Sequence, residues 1–284
     1  MNNQLETRIA EIAGARPIAG VRLGGGCIGD VRRIDLADGR RLVGKLGGPD
    51  SGLETEGFML RYLAEHSDLP VPAVLHADDE LLLMEYLAAD GRLDDDAQIH
   101  AADLVAALHG ITGPAFGFER ATVIGGLAQP NSPNPRWRDF FRDQRLLYMA
   151  HEGLAAGRLP GGLMARLETF CGALDRWIGE TATPSLIHGD MWGGNVLADA
   201  GRISGFIDPA IYHADAEIEL AFTTLFNTFG DAFFSRYAEH RSIEPGFFEE
   251  RRDIYNLYPL LVHVRLFGGS YVGSVESTLR RFGF

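Results

Sequence analysis

Hydrophobic spacing divides this chain into two unlike parts. Residues 1–14 are amphipathic and predict a short helix. Residues 20–46 then read as three short strands, with a glycine cluster at the first turn and Asp38-Gly39 at the second. Residues 52–66 return to helical spacing, with Leu53, Leu60 and Leu63 on one stripe. Leu69-Pro70-Val71-Pro72 interrupts, and strands follow over 73–77 and 80–86, joined by Asp78-Asp79. Beyond Ala88 strand signals become rare. Helices are predicted over 96–110, 136–151, 161–179, 215–228, 230–240 and, with interruption, 246–281. A strand-rich first third joined to a helical remainder predicts an α+β chain of two lobes with a cleft between them. The expected division is a small antiparallel-sheet lobe with one main helix, residues 1–87, and a large helical lobe, residues 88–284. Met84-Glu85-Tyr86-Leu87 is the expected hinge.

Composition narrows the function classes. The chain has 284 residues, 46% apolar and 23% charged, as in ordinary globular proteins. A formal net charge of −13 with no basic stripe argues against a nucleic-acid binder. Cys27 and Cys171 are the only cysteines, which points to a reducing compartment. Met1 to Ala15 lacks the apolar core of a signal peptide, and no run approaches the roughly 20 apolar residues that span a bilayer. The expectation is a soluble cytoplasmic protein without membrane or nucleic-acid partners, a monomer or weak homodimer.

Against that background one residue type stands out. Lys45 is the only lysine, every other residue of the 26 Lys and Arg being arginine. An ammonium is a compact point charge and a guanidinium a broad planar fork, so position 45 asks for the former. Lys45 lies in the third predicted strand, just past Asp38-Gly39, as a lysine aimed at nucleotide phosphates would. Ahead of it, Gly24 to Val31 fits G-x-G-x-x-G-x-V between two strands, where Gly25, Gly26 and Cys27 would close backbone N–H groups over phosphates. In a chain with 35 glycines a plain glycine turn is an equal reading of that string alone. Glu56 falls in the same helical row as Leu53 and Leu60. It is either a solvent-edge glutamate or an inward carboxylate paired with Lys45, the pairing that orients a phosphate-binding lysine.

The densest chemistry is in Ile187-His188-Gly189-Asp190-Met191-Trp192-Gly193-Gly194-Asn195. Asp190 and Asn195 have the H-x-D-x-x-x-x-N spacing in which the aspartate accepts a hydroxyl proton and the asparagine ligates Mg²⁺. A hairpin predicted over 196–207 brings its open end together, placing Asn195 beside Asp208. An amide oxygen and a carboxylate there make a hard-oxygen Mg²⁺ site that phosphates would complete. His188 and His109 read as structural, and Asp94-Asp95-Asp96 as a turn and helix cap.

On these residues the chain resembles the fructosamine/ketosamine kinase family, a branch of the aminoglycoside-phosphotransferase-like, protein-kinase-like fold. Gly25-Gly26-Cys27-Ile28, Met84-Glu85-Tyr86-Leu87 and His188 to Asn195 resemble its phosphate loop, hinge and H-G-D-L-W-x-G-N motif. Gln129-Pro130-Asn131, Trp137 to Phe141, Arg145-Leu146, Tyr255 to Tyr258 and His263 to Gly268 resemble its middle segment and tail. The resemblance implies ATP-dependent, Mg²⁺-assisted phosphorylation of the 3-hydroxyl of a ketoamine, which frees the amine and so repairs glycation. It implies Asp190 as base, Asn195 and Asp208 as metal ligands, and Lys45 with Glu56 as phosphate clamp. Adenine would lie on the hinge near Glu85 and Leu87, and the ketoamine against Trp192, with His263 in the pocket wall. The chain departs from the family pattern at Gly29, at Asp208-Pro209-Ala210, and at Glu219, where the family has aspartate. The remaining readings are another small-molecule kinase of the aminoglycoside or choline type, a catalytically inactive nucleotide-binding pseudokinase, and a protein kinase. The absence of an Ala-Pro-Glu segment after Asp208 speaks against the last.

Overall fold

A computed structural model describes residues 3–24 and 30–284. Helix α1 (Asn3–Ala13) precedes strands β1 (Pro17–Arg22), β2 (Asp30–Leu36) and β3 (Arg41–Leu46), helix α2 (Leu53–His66), and strands β4 (Val74–Ala77) and β5 (Leu81–Glu85). The strands form one antiparallel sheet in the order β1-β2-β3-β5-β4. Alternation along the strands serves both faces. Leu42, Leu81 and Leu83 meet Ile9 and Ala13 of α1, while Val43, Leu82 and Met84 meet Leu53 and Leu60 of α2. Each such fully buried aliphatic side chain contributes about 1.5–3 kcal/mol by leaving water.

The remainder is mainly helical: α3 (Asp95–His109), α4 (Trp137–Phe141), α5 (Tyr148–Ala155), α6 (Gly161–Cys171), α7 (Glu217–Leu225), α8 (Asp231–His240), α9 (Arg252–Tyr255), α10 (Leu257–Phe267) and α11 (Ser270–Arg281). A π-helical turn, Arg142–Leu147, joins α4 to α5, so the helix predicted over 136–151 is one rod with a widened turn. Asp94 caps α3 as expected, accepting from the Ala97 N–H at 3.0 Å. The helix predicted over 161–179 is shorter than expected. It stops at Cys171 with Gly172 as its C-cap, and only a single 3₁₀ turn, Leu174–Arg176, follows.

Strands beyond Ala88 are more numerous than the sequence suggested. β6 (Thr122–Ile124) pairs with β7 (Leu127–Gln129), β8 (Ser185–Ile187) with β11 (Tyr212–Ala214), and β9 (Val196–Asp199) with β10 (Arg202–Phe206). Most are three residues long, too short to show a period of two. Among the described residues no helix is long and apolar enough to cross a membrane.

The β9–β10 hairpin packs directly under the link between the lobes. The Phe206 N–H donates to the Pro70 carbonyl at 2.8 Å, the Gly91 N–H to the Ala198 carbonyl at 2.9 Å, and the Ser204 hydroxyl to the Ala88 carbonyl. A Cβ on Gly205 would meet Leu87 Cδ1 at 2.2 Å, so glycine there lets the hairpin approach the hinge.

Candidate active site

Strand alternation decides where Lys45 points. It shares a face of β3 with Val43 and lies opposite Val31 and Leu82, so it projects toward α2. The side chain is 11% exposed and its Nζ donates to Glu56 Oε1 at 2.6 Å and to Asp208 Oδ1. Glu56 is therefore the inward carboxylate and not a solvent-edge one. Burial opposes charge on Lys45, but Asp208 and Glu56 overcome it and hold the ammonium well above its ordinary range.

The hairpin brings the second group of residues to the same place. Its open end is closed by the Ile207 N–H donating to the Asn195 carbonyl at 3.0 Å, which sets Asn195 beside Asp208. Asn195 Nδ2 donates to the Asp190 carbonyl at 2.8 Å and to Asp190 Oδ2 at 2.9 Å. That use of its nitrogen leaves the amide oxygen to accept or to ligate. Burial pushes the Asp190 carboxyl up to about 8, with the nearby Asp208 charge adding to the effect and the Asn195 bond opposing it.

Asp208 has φ 54° and precedes Pro209, a backbone state that costs about 1–3 kcal/mol for a residue with a Cβ. Its neighbours impose that state. The Ala210 N–H donates to the His188 carbonyl at 2.7 Å, and Gln129 Nε2 donates to the Ala210 carbonyl at 3.0 Å. A Cβ on Gly189, itself at φ 86°, would lie 2.1 Å from that same carbonyl oxygen. The segments carrying Asp190 and Asp208 are thus pressed together with no room for a side chain between them.

Two buried networks hold this arrangement from behind. In the first, Glu219 accepts from the Gly189 N–H at 2.6 Å, the His188 N–H at 3.2 Å and His109 Nε2 at 2.9 Å, while His109 Nδ1 lies 2.8 Å from the Tyr237 hydroxyl. Burial works against the Glu219 charge, and the bonds from His109 and the loop outweigh it, holding the carboxyl below its usual range. In the second, the Tyr258 hydroxyl donates to Gln129 Oε1 at 2.6 Å. The fully buried Arg145 guanidinium stacks 3.8 Å from the Tyr212 ring centroid and donates to the Pro130 carbonyl and Asn131 Oδ1 at 2.7 and 2.6 Å. Sequence reasoning missed both roles. The available signal for the first was a carboxylate inside the apolar run Ile218-Glu219-Leu220-Ala221-Phe222.

His188 and His109 are structural, as expected, though His188 braces the loop chiefly through its main chain. Its ring is wholly buried, 5.9 Å from the Phe206 ring, with Nδ1 3.4 Å from the Asp190 N–H. Asp215 is likewise structural, accepting from the Tyr255 hydroxyl at 2.8 Å.

At the hinge, Met84 is buried and the Glu85 and Tyr86 N–H groups bond to the Ala73 and Arg41 carbonyls at 2.9 and 3.3 Å. The Leu87 N–H has no hydrogen-bond partner among the described residues. Trp192 sits two residues past Asp190 with its ring 5.9 Å from Phe226, and Phe226 lies 5.2 Å from the His263 ring. Gly25, Gly26 and Cys27 lie outside the described residues. The donor types fit a divalent cation: a carboxylate on Asp208 and an amide oxygen on Asn195 are both hard oxygen donors, carried by segments that the Ile207 N–H to Asn195 carbonyl bond joins.

The family model for fructosamine kinase matches residues 2–282. A probable ketoamine kinase from Synechocystis is 33% identical over 234 residues, covering 80% of this chain and 77% of that protein. Another from Vibrio parahaemolyticus is 32% identical, covering 92% and 91%. A solved structure from Thermobifida fusca that bears the name of a fructosamine-3-kinase superposes with a TM-score of 0.85 at 30% identity, covering 99% of this chain and 100% of that one. An aminoglycoside phosphotransferase solved with gentamicin shares the protein-kinase-like fold at a TM-score of 0.67 and 14% identity, covering 99% and 96%. The chain belongs to the fructosamine kinase family, and by that membership it is an ATP-dependent kinase.

Proposed function

We propose that the protein transfers the terminal phosphoryl group of ATP to the 3-hydroxyl of a ketoamine, a sugar adduct of an amine or of a protein lysine, and so serves deglycation in the cytoplasm. The observation that carries this reading is the meeting of Lys45, Glu56 and Asp208 from one side with Asp190 and Asn195 from the other.

Each residue has a role that follows from its surroundings. Residues 1–87 form the nucleotide lobe and 88–284 the catalytic and substrate lobe, with adenine held by the free Leu87 N–H and the Glu85 carbonyl. Lys45, kept protonated by its two carboxylates, neutralises phosphate charge, and Glu56 fixes its direction. Asp208 and Asn195 hold Mg²⁺, which supplies charge neutralisation on the phosphates when bound. Asp190 orients the acceptor hydroxyl and takes its proton. Its site is desolvated, which raises the carboxyl to about 8, and positive charge brought to the pocket favours the ionised form. Trp192 and His263 face the sugar adduct. Catalysis here is chiefly positioning and electrostatics, since the phosphoryl transfer needs no covalent intermediate.

A coupled ATP-consumption assay across fructosyl, ribulosyl and erythrulosyl amines, with aminoglycosides and choline as controls, tests the reading. Turnover on ketoamines alone is expected. Turnover restricted to aminoglycosides or choline, or none with any alcohol, would replace it.

A further inference from the structure

Rings continue past Trp192 in an unbroken row. Phe226 stands between Trp192 and His263 at 5.9 and 5.2 Å between ring centroids. The His263 ring is in turn 4.7 Å from Tyr271 and 5.7 Å from Phe267. The row crosses four pieces of chain: the catalytic loop, the end of α7, α10 and the start of α11. It runs from the candidate base out to the surface, where Phe267 is 46% exposed. Core aromatic side chains in this protein are nearly inaccessible, whereas Trp192, Phe226, His263 and Tyr271 are only half-buried.

Local structure directs two of these rings. Phe226 is the C-cap of α7, and Asn227 follows at φ 53° while the Thr228 N–H returns to the Thr223 carbonyl at 2.9 Å. This left-handed cap ends the helix where Phe226 can meet Trp192. His263 Nδ1 lies 2.7 Å from the Pro259 carbonyl. A carbonyl only accepts, so the proton is on Nδ1 and the Nε2 of the neutral ring is left as an acceptor. Burial, which lowers the His263 pKa, favours that neutral form.

The row therefore offers several π faces and one nitrogen acceptor, and none of its five residues is acidic. Rings attract an organic ammonium through their negative faces, and a lone acceptor takes one N–H. A polycation would call for carboxylates instead. We propose that this row binds the amine half of the acceptor: the secondary ammonium of a ketoamine lies among Trp192, Phe226 and His263, and its carbon substituent extends over Tyr271 and Phe267. Adducts of amines with aromatic or long apolar substituents are then preferred over adducts of short amines. This assignment rests on the ketoamine reading and deepens it.

The test compares the fructosyl adducts of phenethylamine and of glycine in wild type and in a Phe267→Ala/Tyr271→Ala double variant, whose substitutions lie at the exposed end of the row. In wild type the KM for the phenethylamine adduct is expected about tenfold lower, equivalent to about 1.4 kcal/mol. In the double variant that ratio collapses to about one, through KM and not kcat. Calorimetric binding of both adducts and of free phenethylamine, without ATP, separates the two levels of the argument. Binding of phenethylamine that the double variant abolishes, with no ketoamine turnover, supports the row as an amine site and refutes the ketoamine reading. Turnover of ketoamines with an equal KM ratio in both proteins refutes the row alone. A concentration-dependent dimer of wild type that the double variant loses would assign the rings to self-association and overturn the proposal.

Discussion

Glu219→Gln isolates the brace behind the catalytic loop. The carboxylate takes three donors on two oxygens: the Gly189 N–H at 2.6 Å on one, and the His188 N–H and His109 Nε2 at 3.2 and 2.9 Å on the other. A carboxamide retains one oxygen, so in either orientation its NH₂ group faces a main-chain N–H. A buried donor stranded in this way costs about 1–3 kcal/mol, and the bonds that survive lose their charge assistance, about another 1 kcal/mol. The sum is about 2–4 kcal/mol, or a fall in Tm of roughly 3–7 °C for a chain of this size. Gly189 immediately precedes Asp190, so a shift of about 1 Å in the loop lowers kcat on the order of 100-fold while nucleotide binding in the other lobe persists. The pH dependence has a definite sign. Glu219 is held below its ordinary value of 4.5, so its stabilisation is complete above that pH and is lost on acidification through the depressed value. The Tm difference between wild type and variant is therefore widest near neutrality and narrows in acid. Scanning calorimetry from neutral to acid pH, with steady-state kinetics at neutral pH, checks each part. A variant with wild-type Tm and kcat would refute the reasoning.

Asp190→Asn keeps the Asn195 contact but cannot take a proton, and it should lower kcat by about 10²–10⁴ with ATP affinity by calorimetry retained; a loss below tenfold would remove Asp190 as the base. Lys45→Arg should lose about 100-fold in kcat/KM, because a planar fork cannot sit where Nζ is 2.6 Å from Glu56 and also bonded to Asp208; an unimpaired variant would mean the ammonium has no special task. Gly189→Ala puts a Cβ 2.1 Å from the Ala210 carbonyl oxygen at a positive φ, and a loss of about 3 kcal/mol or more is expected in chemical denaturation. A Gly189→Ala variant of unchanged midpoint would show that the two loops are not pressed together.

How much of this was legible in the sequence follows from how local each feature is. Asp190 and Asn195 are five residues apart, and the hairpin that returns the chain to Asp208 was readable from its turn, Asp199-Ala200-Gly201-Arg202. Lys45 and Glu56 were readable from strand alternation and a helical row that place both on the same interior. The two supporting networks were not. His109 meets Glu219 across 110 residues and Tyr237 across 128, and neither spacing leaves a periodic trace. Arg145 looks like any helix-surface cation, yet a widened helical turn and rings from three separate segments enclose it. Gln129 and Tyr258, which mark the family branch in sequence, turn out to form a chain of hydrogen bonds to the Ala210 carbonyl, two residues past Asp208.

The most direct measurement is a ¹H–³¹P correlation spectrum of the product formed from ATP and fructosyl-lysine. A single cross-peak between the new phosphate monoester and the sugar proton on carbon 3, absent with Asp190→Asn, is the predicted result. A phosphate correlated with another position, or release of inorganic phosphate alone, would contradict the account.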